Sequence, residues 1–145
     1  MDTNRLWQGA AGGLVGGIVF GLMMQMMGML EMVAGLVGRE SVAIGWGVRL
    51  GISALFGLGF GLILGAVSTT WVKSLSFGAL YGAVWWVLGA LVIMPAMLGM
   101  SEMIFAIEAM QLQSLTGHVI HGLLLGGVFQ ALAGAQAPGR AESHA

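Results

Sequence analysis

The sequence predicts an all-α integral membrane protein, a four-helix bundle built from two similar helical hairpins arranged as a parallel internal repeat. Three observations carry that expectation. Of 145 residues, 58% are hydrophobic and only 8% are charged, far from the balance of a soluble domain. The stretches 6–30, 50–72, 74–101 and 109–139 contain no Asp, Glu, Lys or Arg, and each exceeds the roughly 20 apolar residues that a bilayer-crossing helix needs. Finally, "MMGMLEM" at Met26–Met32 returns at Met97–Met103 as "MLGMSEM", the sort of echo that marks a duplicated unit.

The first span is expected near 6–30. It is too long for a signal-peptide core and no small-x-small cleavage site follows, so it reads as a mature helix serving as its own insertion signal. The second is expected near 43–66, the third near 75–99 and the fourth near 111–134. In lipid, small residues four apart let helix backbones approach closely. Gly13, Gly17 and Gly21 supply that spacing in the first span, and Gly57, Gly61 and Gly65 in the second. Gly78 and Gly82 do so in the third, and Gly122 and Gly126 in the fourth. Pro95 frees a backbone carbonyl one turn earlier and is expected to kink or end the third span. Ser101–Ser114 is expected to form a short interfacial helix with Glu102 and Glu108 outward. Residues 1–135 then make one transmembrane domain, and 136–145 a disordered polar tail.

The repeat has two parts. An offset of 71 lays Met23 on Met94 and Glu31 on Glu102; an offset of 69 lays Gly57 on Gly126, Phe60 on Phe129 and Arg49 on His118. A unit of two spans returns the chain to its starting side, so its duplicate keeps the same orientation and the halves relate about an axis along the membrane normal. Both termini and the middle loop share a side holding Arg5, Lys73 and Arg140; the other side holds Arg39 and Arg49 against four glutamates. That bias favours cytoplasmic termini.

Several function classes fall away. A formal net charge of −1 without a Lys/Arg cluster offers nothing to nucleic acid. The absence of cysteine excludes disulfides, thiolate metal sites and cysteine nucleophiles. No Gly-x-Ser-x-Gly, His-Glu-x-x-His or Gly-x-x-x-x-Gly-Lys sequence occurs, and the chain is not expected to be an enzyme.

Polar groups inside a bilayer are costly, which singles out Glu31, Arg49, Glu102, His118 and His121 as a polar ligand or proton site near the outer leaflet. Glu31 or Glu102 would meet Arg49 or His118 across the bundle and relay protons or admit a cation or small ligand. The structural alternative has the same residues tying helix ends together, with Arg49 snorkelling to the interface. A copper(I) site would draw on Met26, Met29, Met97, Met100 and His118, since thioether and imidazole suit that ion. Against it, methionines spaced by three step back about 60° each time and spiral round a regular helix; they share no pore unless the Pro95 region is distorted. Haem or chlorin is a further alternative, weakened because Arg49 stands at the symmetric position and His118 and His121 share one helix. The cofactor therefore stays unknown. The leading function is a transport, channel-like or ligand-binding module in the lipid bilayer; the rival is a non-catalytic accessory subunit whose glycine faces dock a homo-oligomer or larger membrane complex.

Three motifs extend this reading. Arg49-x-x-x-Ser53-x-x-Phe56-x-x-x-Phe60, Pro95 ahead of Met97, Gly99 and Met100, and "SLTGHVIHG" at Ser114–Gly122 resemble the YagU-like family of small bacterial inner-membrane proteins over the last three spans. The resemblance implies an inner-membrane location, a poorly defined biochemical activity and an association with acid resistance. His118 and Ser53 match that family's histidine and serine, whereas Arg49 stands where it has a second histidine. Arginine cannot titrate near neutral pH, so a pH-sensing role does not carry over to position 49.

Overall fold

Capping residues set where the helices begin. Asp2 accepts from the Asn4 N–H and starts α1, Thr3–Met26; Ser41 accepts from the Ile44 N–H and starts α3, Val42–Ile63. Thr70 accepts from the Lys73 N–H at the head of α4, Trp71–Met97. Glu108 and Gln111 form a reciprocal capping box at the head of α5, Ala109–Gln136. Each cap lies a few residues before the expected span, which is why every helix starts early. The first helix also stops early: the chain turns at Gly28, whose φ of +68° is the left-handed conformation glycine adopts freely, and re-enters a short helix α2, Leu30–Gly35. The structure, a computed structural model, describes residues 2–137. The expected disordered tail lies, from residue 138 onward, outside the described residues.

The described residues are helical with no strand, and α1, α3, α4 and α5 are each long and apolar enough to cross a membrane. α4 is not uniform. It is α-helical to Trp85, π-helical over Trp86–Ile93 and α-helical again over Met94–Met97. Pro95 has no N–H to offer the Leu91 carbonyl one turn back. The Phe105 N–H donates to that carbonyl instead, at 3.1 Å, and Phe105 takes a φ of 57° in doing so. The interfacial helix expected over Ser101–Ser114 is therefore not formed. A left-handed Gly99, a single 3-10 turn at Ser101–Met103 and an extended Ile104 carry the chain back over the helix end, and α5 begins only at Ala109.

α1 packs on α3 and α4 packs on α5, giving two antiparallel hairpins, and α1 also packs along α5 to join them. α3 and α4 have no comparable contact. Glycine makes the close approaches possible. A Cβ at Gly9 or Gly13 would run into the Gly57 or Ser53 carbonyl of α3, and one at Gly78 or Gly82 into the Gly122 or His118 carbonyl of α5. Of the other glycines expected to mediate packing, Gly17 abuts the Ser53 side chain, Gly21 the Trp46 ring, Gly61 the Arg5 carbonyl and Gly126 the Ser74 carbonyl. Gly65 differs: it caps its own helix, beside the Gly61 carbonyl and the Phe129 ring. Gln8 donates to Gln136 at 2.9 Å, tying α1 to α5 at the end that carries the described termini. Phe60, Leu125 and Phe129 fill the core near that end; Phe20, Met24, Met29, Leu30 and Val33 fill it toward the other.

Candidate functional site: a cationic floor beneath an apolar cavity

The buried stripe of α3 runs Gly45, Arg49, Ser53, Gly57, Gly61, one residue per turn. Arg49 shares that stripe with the glycines that dock α1 and so is carried inward, where only 6% of it is exposed. Ser53 is fully buried one turn on and donates to the Arg49 carbonyl at 2.8 Å. Phe20 of α1 reaches over from the other side. Its ring fills the notch at Gly117, where a Cβ would strike it, and presents its face to the Arg49 guanidinium at 4.1 Å from the centroid. His118 and His121 meet the same ring edge-on, with centroids 4.8 and 6.4 Å away. The room that Gly117 offers beside the histidines is thus taken by Phe20.

Hydrogen bonds define the histidine tautomers. Arginine only donates, so the 2.9 Å contact between Arg49 Nη2 and His121 Nδ1 makes that nitrogen the acceptor and leaves the ring proton on Nε2. His118 Nδ1 lies 2.8 Å from the Ser114 carbonyl and must donate to it, leaving its Nε2 as an acceptor. Three buried N–H groups then lack an acceptor at hydrogen-bond distance: Arg49 Nε, His121 Nε2 and Trp85 Nε1, the last with the Tyr81 hydroxyl as a weak neighbour. All three residues border a small cavity of about 10 Å³. Buried donors are paired in the great majority of cases, so three beside one void is unusual.

Arg49, Phe56, Trp85 and His118 also border a second, much larger cavity of about 470 Å³, which fills the space between α3 and α4 away from the described termini. The walls of this larger cavity are apolar. Val33 comes from α2 and Leu36 from the residue that caps it, Ile52 from α3, and Met94, Met97, Met100 and Met103 from the end of α4 and the segment after it. Those four methionines would spiral on a regular helix. The π-helical segment, Pro95 and the left-handed turn at Gly99 break the regularity, and all four line one space.

The structure sorts the residues singled out from sequence into two groups. Arg49, His118 and His121 come together; Glu31 and Glu102 do not join them. Both carboxylates are exposed, and the only ion pair among the described residues is Arg5 with Asp2 at 3.3 Å. The expected meeting of carboxylate and Arg49 is replaced by an Arg–His–Phe cluster, because α2 and the 3-10 turn hold the glutamates on the surface. Of the copper set, Met29, Met97, Met100 and His118 line the large cavity, whereas Met26 is 89% exposed and stands apart. No group of three or more His, Cys, Asp or Glu is placed to hold a metal among the described residues. Phe20 and Trp85 were not singled out from sequence for the site. Phe20 carries no polar signal, and Trp85 is one of five tryptophans in the chain with nothing in its spacing to set it apart. No protein-family model, curated protein or solved structure matches this chain.

Proposed function

We propose that the chain is an integral membrane protein of the bacterial inner membrane, with cytoplasmic termini, that holds a small molecule with an apolar body inside its bundle. One observation carries this reading: the cavity of about 470 Å³ between α3 and α4, apolar along its walls and polar at one end. Small-molecule sites have volumes of roughly 300–1,000 Å³, mostly apolar linings and a few placed polar groups. Methionine-rich walls suit such a role, because unbranched thioether chains reshape around different contents. The bilayer setting is supported by the outward faces of the long helices, where Leu55, Leu62, Ile63, Val72 and Leu80 are each more than half exposed; those side chains would face lipid. Descent from a duplicated hairpin is part of the proposal, supported by the glycine seams that close both hairpins, as is kinship with YagU-like proteins through Ser53, His118 and the Pro95 segment.

The test is occupancy of the cavity. Purified protein in phosphatidylcholine nanodiscs should bind the neutral apolar dye N-phenyl-1-naphthylamine saturably, and Ala90→Trp, which fills the cavity from α4, should abolish that binding while the helical circular dichroism stays unchanged. Dye binding indifferent to Ala90→Trp would sink the reading. Topology is checked separately, because the chain has no cysteine of its own: Glu40→Cys should react with a membrane-impermeant maleimide on intact spheroplasts, and Lys73→Cys only after lysis. Comigration with a larger assembly on native purification would favour the accessory-subunit reading instead.

A further inference from the structure

We infer that the ligand is a single-chain amphiphile with an anionic oxygen head, a long-chain carboxylate or its phosphate analogue, held head-down on Arg49, Trp85 and His121. This rests on the proposed ligand-binding role and adds the chemistry of the head group.

Charge is the first argument. Arg49 is a permanent cation, 6% exposed and two turns into a long apolar helix, and Asp2, Glu31, Glu40, Glu102 and Glu108 are all on the surface. A buried charge without a counterion is strongly unfavourable, and an intramembrane ionisable residue normally has a partner. His121 and the Phe20 face soften that charge without neutralising it. An anion would neutralise it.

Hydrogen-bond polarity is the second. Arg49 Nε and His121 Nε2 are buried, unmet donors, and Trp85 Nε1 is a third whose one neighbour is the weakly placed Tyr81 hydroxyl, around a void of about 10 Å³. A void of that size holds about one water-sized atom. A carboxylate oxygen there would accept from the donors around it, since each such oxygen has two lone pairs, whereas an ammonium head would face donors and a cation. The shape agrees. Arg49, Phe56 and Trp85 border both voids, so a head that places one oxygen in the small one has its tail directed into the large one. About 470 Å³ lies toward the lower end of the roughly 300–1,000 Å³ of small-molecule sites, a size that suits one acyl chain.

The experiment is competition against N-phenyl-1-naphthylamine in phosphatidylcholine nanodiscs, with dodecanoate, dodecyl phosphate, methyl dodecanoate and dodecylamine as probes. Methyl dodecanoate keeps the chain and the carbonyl acceptor, loses the charge and adds one methyl group at the head. A hydrogen bond to a charged group contributes about 1.5–3 kcal/mol, so dodecanoate should compete roughly 10- to 100-fold better than its ester, with dodecylamine weakest. Arg49→Met should reduce that preference to within about threefold while leaving the ester's affinity nearly unchanged, which also shows that the variant is folded. Trp85→Phe should weaken dodecanoate about 2- to 10-fold. Equal affinities for dodecanoate and its ester, or an anion preference that survives Arg49→Met, would overturn the inference and leave the cavity reading standing. Failure of every amphiphile to compete would also overturn the inference, and the cavity reading would then stand or fall on the dye's response to Ala90→Trp. Nanodiscs doped with phosphatidic acid separate the sources: displacement of the dye by that two-chain lipid as readily as by dodecanoate contradicts a single-chain ligand.

Discussion

Two seams join the hairpins, and they are built differently. Along α1 and α5 small residues meet large ones: Gly12 lies on Leu125, Gly16 on His121, and Gly117 receives the Phe20 ring. Each bulky side chain has a glycine opposite, so that seam closes over its length. Along α3 and α4 one glycine, Gly59, lies against the Tyr81 hydroxyl, but at the next turn large residues meet large ones. Phe56 stacks on Trp85 at 4.1 Å between centroids, and Tyr81 donates to the Phe56 carbonyl at 2.9 Å. The aromatic pair bridges the helices at mid-height and holds their backbones apart, and the cavity lies on one side of that bridge. In a bilayer, where apolar burial adds little between helices, complementarity of size decides which seam closes. A pseudo-symmetric pair of hairpins would then acquire one sealed interface and one pocket from side-chain volume alone.

The strongest way to break this comparison is to add volume where the backbones touch. At Gly57 a Cβ would collide with the Gly9 carbonyl, a backbone atom that cannot swing away. Gly57→Leu should destabilise the first hairpin by about 3 kcal/mol or more, at and beyond the upper range for overpacking, and yield little folded protein by size exclusion in neutral detergent. Gly89→Ala is the control. Nothing lies within 4 Å of a Cβ there, and the residue sits beside the open cavity; its effect should stay within about 0.5 kcal/mol.

A middle-sized effect is expected from Gly117→Val, which attacks the sealed seam without touching backbone. The added atoms meet the Phe20 ring, which can rotate, so the cost should be roughly 1–3 kcal/mol. Displacing Phe20 also takes the ring face away from Arg49. The same variant should therefore quench or shift dye fluorescence in the cavity, because Phe20 and Arg49 both line it. A melting temperature lowered with no change in bound-dye fluorescence would mean that seam and pocket are independent.

How much of this was legible in the sequence follows from the same contrast. Charge-free stretches located four helices to within a few residues, because bilayer length and capping residues such as Ser41 and Thr70 are local properties. Rotation about each helix axis was not legible. A soluble helix advertises its buried side by hydrophobicity, whereas here the buried side of α3 is glycine, serine and arginine with the single large apolar residue Phe60, and the exposed side carries leucine and isoleucine. Arg49, His118 and His121 could be named because a polar residue in an apolar helix is conspicuous; that Arg49 bonds His121 and not a glutamate depends on rotations the pattern does not encode. Glu31 and Glu102 were drawn into the site by their place at span ends, yet the chain turns at Gly28 and Gly99 before reaching them. The convergence of Met94 to Met103 required a π-helical distortion that Pro95 hints at without specifying.

The smallest and sharpest test lies on the bridge itself. Tyr81→Phe removes the hydroxyl that links α4 to the Phe56 carbonyl and leaves every ring contact in place, including the edge-on packing of Tyr81 on Phe60 and Trp85. A helix carbonyl has a second lone pair and keeps its own intrahelical bond, so no acceptor is orphaned by the change. The loss should be only about 0.5–1.5 kcal/mol. If side-chain volume sets the spacing of α3 and α4, the dye affinity of Tyr81→Phe should match that of the unaltered protein, whereas Phe56→Ala, which removes one stacked partner, should change it. A Tyr81→Phe variant that lost its dye site would show that one hydrogen bond, and not aromatic bulk, keeps the open seam in register.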